Sequence, residues 1–537
     1  MKPSSTINPS LSSLSVGVLL CASVLCAVGS AQSAEDAFFV RAQDALESLD
    51  LAQVRQMLEE VEGDDDFRVE LLRGRLRFYE GDYAEAVTLM KQAIERGGAA
   101  ARAYEPELSL VEATEALTRE HVRVRSNDGR FELSYPPGKD AVLVDFTFSA
   151  MAAAYEAFGE DFGVRPSEPI RIEVYSSPDD LAKVSSLTES DVATTSTIAL
   201  SKYNRIMLTS PLALMRGYAW LDTLVHEYCH MIIAQAGGPG VPIWVHEGLA
   251  KFSERRWRGG DEQRLLPAQL DYLLYTRAKQ GRLVSFAQMH PSIAKLPDQE
   301  DASMAYAEVF AAMELVYSKH GMIGLREMLG LIAEGQRAEA AFETVLASSF
   351  SDFERSWKAH MLQRERRYEG EEPPDVFEQI AFRKDASVGE DDDVSLIGEE
   401  GARRLVYLGD LLLSKQRPKA AAVEYRKAAA LIGGSNPVLQ ARLGRALLEQ
   451  GESAQAVEVL QSALIEGEHY MTLFVYLGRA LNREGRYEEA ERALWEAAAI
   501  NPFDPAIHEE WALSYRARGD AEGERRAKEM VELLAGH

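Results

Sequence analysis

Glycines at 409, 444 and 478 recur at nearly constant spacing. Each is followed twelve positions later by an alanine (Ala421, Ala456, Ala490) and nineteen positions later by another (Ala428, Ala463, Ala497). A period of this length marks a solenoid, because one such unit cannot bury its own apolar face and must stack on its neighbours. The same offsets return near the other end of the chain at Gly74, Ala86 and Ala93, in LLRGRLRFYEGDYAEAVTLMKQAIERGG. Whatever lies between has to fold in the company of two helical stacks.

The offsets resemble the tetratricopeptide repeat, a helix-turn-helix unit with small residues where its two helices touch. The resemblance implies helical repeats over 36–117 and an array over 399–537, with WALSYRARGDAEGERRAKEMVELL as a degraded closing unit. It also implies concave surfaces suited to a protein partner or a substrate.

The intervening stretch has a different texture. HVRVR and RFELSY alternate as half-buried strands do, IRIEVY reads as a buried strand, and TSTIAL with NRIMLTS reads as a hairpin across SKYN. After residue 215 the pattern turns helical and stays so to about 365. Strands followed by helices predict an α+β domain over 118–370, expected to fold without the repeats. GEEPPDV and GEDDDV mark an acidic linker over 371–398.

Within the helical part stands LVHEYCHMII, residues 224–233. Side chains four apart on a helix share a face, so His226 and His230 can both offer a ring nitrogen to one zinc, with Glu227 beside them as general base. The chain then breaks at GGPG and restarts at Pro242, which brings Glu247 back on a second helix. Two histidines and one glutamate leave the fourth position that a catalytic zinc needs and a closed structural site lacks.

The pair HEYCH and PIWVHEGLAKF is similar to the gluzincin metallopeptidases, a group that includes thermolysin and the aminopeptidase N relatives. The resemblance implies a zincin-like fold, one zinc per chain on His226, His230 and Glu247, Glu227 as general base, and a peptide or protein substrate. Ile233 and Ala236 stand where metzincins place Gly and a third His. The G-x-M-E-N segment with which aminopeptidases hold a free amine is absent from the sequence, which favours an endopeptidase. Tyr306 lies close to where related enzymes place an oxyanion-binding tyrosine, yet Tyr306, Phe310, Met313 and Tyr317 also form one helical stripe suited to a core.

Neighbouring residues carry weaker signals. His246 points to another face than Glu247, and Cys229 suits a small buried hydrophobe better than a ligand. Asp222, one turn before His226, suits either orienting that imidazole or facing solvent. NRIMLTS suits either an edge strand that pairs with an extended peptide or simply the last strand of the sheet.

Lys2 is the only charged residue before Glu35, and SVGVLLCASVLCAVG runs into GSAQSA, the layout of a signal peptide over 1–33. Export to the periplasm or the exterior is therefore expected, with no transmembrane span after cleavage. Removing the leader takes Cys21 and Cys26, so Cys229 has no partner for a disulfide. The net charge of -27 repels phosphate backbones, which argues against nucleic acid. Together these readings describe an exported zinc metallopeptidase with partner-binding repeats. Two other classes stay open: a catalytically silent envelope scaffold, and a zinc hydrolase that does not cut peptides.

Overall fold

The computed structural model describes residues 34–536 except 62–64, 168, 186, 188–196, 260–265, 290–291, 294–295, 297–298, 364–392, 396, 434 and 465–469. The leader over 1–33 and most of the acidic linker over 371–398 lie outside the described residues.

The chain opens with helices α1 (Ala34–Glu47), α2 (Leu51–Glu60), α3 (Phe67–Glu80), α4 (Tyr83–Gly97) and α5 (Glu105–Thr118). The turn between α3 and α4 follows from two residues. Gly81 takes a φ of 85°, which an L side chain resists, and Asp82 then caps α4 by accepting from the Glu85 N–H. Gly74 sits at the crossing of the pair, where a Cβ would come within 2.6 Å of Met90 Cγ and 3.2 Å of its backbone nitrogen.

A mixed sheet follows, built from β1 (Val122–Arg125), β2 (Phe131–Tyr135), β3 (Ile170–Tyr175), β4 (Ala199–Lys202) and β5 (Arg205–Thr209) in the order β1-β2-β3-β5-β4. The three inner strands are parallel and the outer pairs antiparallel. Tyr203 and Asn204, both at a φ of 56°, close the β4–β5 hairpin in the primed-turn conformation that matches strand twist. NRIMLTS is not an edge strand, because β5 has partners on both sides and β4 forms the edge.

IRIEVY is buried on both faces for two different reasons. Ile170, Ile172 and Val174 face the main apolar core, where α6 (Leu143–Phe162) packs. The opposite face presents Glu173, to which the Tyr83 hydroxyl donates and with which Arg205 pairs at 3.2 Å. The Arg205 guanidinium lies 4.7 Å from the ring centre of Phe78 and 5.1 Å from that of Tyr83. The α3–α4 helix pair is thus fastened to the sheet around a charge pair whose side chains are 0% and 5% exposed. By length and composition α6, with the turn before it, could also cross a membrane, which the sequence reading overlooked; here Phe146, Ala150, Met151 and Phe158 place it in the core.

Helices α7 (Pro178–Lys183), α8 (Trp220–Gly237), α9 (Ile243–Ser253), α10 (Ala268–Gln280), α11 (Gln299–Ala333, broken at Gly321), α12 (Ala338–Leu346) and α13 (Phe350–Leu362) complete the central part. The C-terminal array comprises α14 (Glu400–Ser414), α15 (Pro418–Ile432), α16 (Pro437–Glu449), α17 (Ser453–Gln461), α18 (Met471–Arg483), α19 (Tyr487–Ile500), α20 (Pro505–Arg518) and α21 (Ala521–Ala535). A Cβ at Gly409, Gly444 or Gly478 would strike Tyr425, Leu460 or Leu494, the same offset each time.

The array is built into the central core. Phe146 stacks on Trp511 with ring centres 5.8 Å apart, Trp220 Nε1 donates to the Ala498 carbonyl at 2.9 Å, and the Tyr218 N–H donates to the Ile500 carbonyl at 3.0 Å. One continuous cluster of buried apolar residues runs from Phe131 to Ala527.

Candidate metal centre

Helix α8 forms because Leu221, Leu224, Val225, Tyr228, Cys229, Ile232 and Ile233 supply a wide apolar surface to the core. His226 and His230 sit one turn apart on what remains, their ring centres 4.9 Å apart. The helix stops at Gly237 and Gly238, the latter at a φ of 67°, and α9 starts after Pro242. This reversal returns Glu247 to the histidines. Its Oε2 lies 3.3 Å from His226 Nε2 and 3.5 Å from His230 Nε2, and the three donor atoms all fall within 4.8 Å of one another.

Close approach of a third helix completes the wall. Gly248 faces α11 so tightly that a Cβ would lie 3.0 Å from the Val309 carbonyl oxygen. Tyr306, on the preceding turn of α11, therefore reaches the site with its ring centre 6.5 Å from that of His226. Burial, then the charges of Glu247, Glu227 and Glu254, push the Tyr306 phenol well above its ordinary pKa, so it stays a hydrogen-bond donor.

Glu227 is buried on α8, on the side of the helix that packs against β4. Burial raises its pKa against the opposing pull of His230 and His226. At His226 burial disfavours charge, but the Glu247 and Glu254 carboxylates outweigh it and lift the pKa to about 10. Glu247 would be raised by burial, yet His230 and His226 hold it well below the carboxylate range. Three carboxylates thus surround two imidazoles in a poorly solvated pocket. That donor set calls for a cation, and two imidazoles with one carboxylate suit zinc.

The sequence reading missed Glu254. Its Oε2 lies 3.1 Å from His226 Nδ1, and its Oε1 takes an ion pair from Lys251 at 2.6 Å. It follows Glu247 by seven residues, two helical turns on the same face, so the spacing alone pointed to it. Asp222, weighed for that role, does other work: it accepts from Trp257 Nε1 at 2.8 Å and from Arg258 Nε at 2.9 Å. Arg258 in turn pairs with Glu496 on α19, which ties the start of α8 to the array.

His246 stands outside the group of His226, His230 and Glu247. Its ring centre lies 5.6 Å from that of His230, and burial, with His230 beside it, depresses its pKa to about 3. Cys229 is fully buried with its thiol against the Leu249 carbonyl, and burial pushes the thiol far above its ordinary pKa.

The family model of the Peptidase MA superfamily matches residues 150–363, and that of the tetratricopeptide repeat matches residues 442–505. No curated protein matches the chain. Solved structures that resemble parts of it include yeast LTA4 hydrolase in complex with bestatin, 12% identical over 77% of this chain and 66% of that one, with a TM-score of 0.31. MamA is 18% identical over 27% of this chain and 84% of its own, with a TM-score of 0.24. YrrB, a TPR protein with an unusual peptide-binding site, is 20% identical over 27% and 74%, with a TM-score of 0.23. TM-scores this low do not establish a shared fold.

Proposed function

From a chain that carries a Peptidase MA superfamily domain and a tetratricopeptide repeat after it, we propose an exported zinc-dependent endopeptidase whose repeats hold a protein partner or present the substrate. The observation that carries this reading is the convergence of His226, His230 and Glu247 beside the buried carboxylate of Glu227.

His226, His230 and Glu247 would hold the zinc. A zinc ion bound there supplies Lewis acidity, making a water easier to deprotonate and a carbonyl easier to attack. Glu227, poorly solvated and raised in pKa, takes the proton of the attacking water and returns it to the leaving amine. Tyr306 donates its phenolic hydrogen to the oxygen that gains charge. Glu254 fixes the His226 ring through Nδ1, leaving Nε2 toward Glu247.

The apolar leader supports export, and the absence of a G-x-M-E-N segment favours cuts within a chain over removal of N-terminal residues. The test is metal content together with turnover. The full chain is expected to hold about one zinc by the three-donor argument, and His226→Ala or His230→Ala to lose it. No metal after zinc reconstitution overturns the enzyme reading. Turnover of an ester panel without any peptide cleavage overturns the peptidase assignment alone.

A further inference from the structure

His226, His230 and Glu247 sit on two helices, so their spacing depends on how α8 and α9 are held against each other. The cross-links between the two run in antiparallel order. His226 meets Glu247 through Nε2 and, through Nδ1, Glu254 at the end of α9. Four residues earlier on α8, Asp222 meets Arg258, which lies four residues beyond Glu254. That pair is the next rung of the same ladder, one helical turn or about 6 Å along α8 from His226.

This rung holds both a distance and an orientation. Arg258 closes on both carboxylate oxygens of Asp222, Nε to Oδ1 at 2.9 Å and Nη2 to Oδ2 at 3.0 Å, while Trp257 Nε1 donates to Oδ1 at 2.8 Å. The side chains of Arg258 and Asp222 are 17% and 8% exposed, so solvent and salt screen the pair little. Burial opposes the charge on Asp222, but Arg258 outweighs it and holds the carboxyl below its ordinary pKa. In the same short turn, Arg256 donates to both oxygens of Asp161 on α6, at 2.7 Å and 3.1 Å. The end of α9 is therefore pinned on two sides.

The third nitrogen of Arg258 reaches out of the central part, where Nη1 donates to Glu496 on α19. The last turn of α19 has carbonyls without partners inside the helix, and the entry to α8 supplies them: Ala498 accepts from Trp220 Nε1 at 2.9 Å and Ile500 from the Tyr218 N–H at 3.0 Å. A Cβ at Gly217 would lie 2.4 Å from the Ile500 carbonyl oxygen, so backbone meets backbone here. One helix end of the array thus grips the start of the helix that carries both histidines.

We infer that Arg258 is a positioning residue for the metal centre, and that Glu496, acting through it, makes α19 of the C-terminal array part of that centre's support. The inference rests on the reading that His226, His230 and Glu247 hold zinc, and adds what sets their spacing. A shift of α19 moves Asp222 and Arg258, the rung beside His226, and with them the separation of the two helices that carry the donors. Groups that orient metal donors without touching the metal change its affinity by roughly ten- to a hundredfold when removed.

The experiment titrates zinc into the metal-free full chain against a chromophoric chelator, with denaturant unfolding measured on the same samples. Arg258→Lys keeps a cation beside Asp222 but cannot fork across it and reach Glu496 at once, and is expected to weaken zinc by about tenfold or more. Glu496→Gln, at a side chain 38% exposed, leaves the fold intact and is expected to weaken zinc by about threefold or more. Combined with Arg258→Lys it is expected to add nothing, because it acts through that residue. Leu447→Ala, in the separate apolar cluster of the array, is the control: stability falls and zinc affinity stays that of the natural chain. Unchanged zinc affinity in Arg258→Lys overturns the inference and leaves the metal reading intact. An equal loss of affinity in Leu447→Ala reduces Arg258 to a residue of general stability and overturns it too. No loss in Glu496→Gln, or losses that add in the double variant, overturn the role of α19. No zinc bound by the natural chain overturns the metal reading itself, and the inference falls with it.

Discussion

Substitution is expected to separate Glu227 from His226, His230 and Glu247, the three residues proposed to hold the metal, although all four lie close together. Glu227→Gln keeps the side chain's size and removes its ability to accept a proton, so the variant is expected to retain zinc and lose peptide cleavage. Tyr306→Phe is expected to keep the metal and lose roughly ten- to a thousandfold in turnover, since removal of one oxyanion donor costs on that order. Metal content and cleavage measured on both variants decide the two assignments; undiminished cleavage by Glu227→Gln sinks the general base. Away from the site, Glu308 on α11 is fully buried, accepts from the Val284 N–H at 2.9 Å, and has no protein hydrogen bond to Oε2. Burial pushes its pKa up from the ordinary 4.5 to about 8, so the folded chain holds a proton there that the unfolded chain releases at lower pH. Its contribution is therefore present below pH 4.5 and is lost as pH rises toward 8. Relative to the natural chain, Glu308→Gln should gain a few kcal/mol between pH 5 and pH 8 in denaturant unfolding. A parallel pH dependence of the two proteins would show that Glu308 titrates normally.

Among the elements, the pairing of α9 with α11 governs the site. The Val309 carbonyl would lie 3.0 Å from a Cβ at Gly248, and backbone cannot swing aside as a side chain can. Gly248→Ala should therefore move α11 outward, carrying Tyr306 from His226. Turnover is expected to fall about tenfold or more, because a displacement near 1 Å can cost that much, while zinc stoichiometry is retained. Unchanged turnover would show that α11 does not position a catalytic group.

For the whole molecule, the continuous core makes the central part dependent on what flanks it. A chain cut to 118–370 would expose Trp220 and Phe146 where α19 and α20 now cover them, and would strip Arg205 and Glu173 of Tyr83 and Phe78. Leaving a buried ion pair without its surroundings, and aromatic surface without its cover, is strongly destabilising. The expected outcome is an aggregating or molten product, assessed by near-ultraviolet circular dichroism beside the full chain. This reverses the expectation of an autonomous domain. A cooperative transition in the excised segment would restore it.

The sequence by itself determined the elements and the face that His226 and His230 share, because both depend on local spacing. Period 34 to 35 required helix pairs that meet at Gly409, Gly444 and Gly478; alternation marked the strands; and histidines four apart required a common face. Tertiary structure alone decided what each face met. The six residues IRIEVY gave no sign that Glu173 would be buried against a tyrosine of the N-terminal repeat, nor did WLDTLVHEYCH show Asp222 turning from His226 to Arg258. Glu254 had the right spacing to reach the site but acquired a role only when α9 folded back beside α8. Local periodicity fixes which residues share a face, whereas the partner of that face depends on contacts hundreds of residues away, as between Trp220 and Ala498, that no short window of sequence contains.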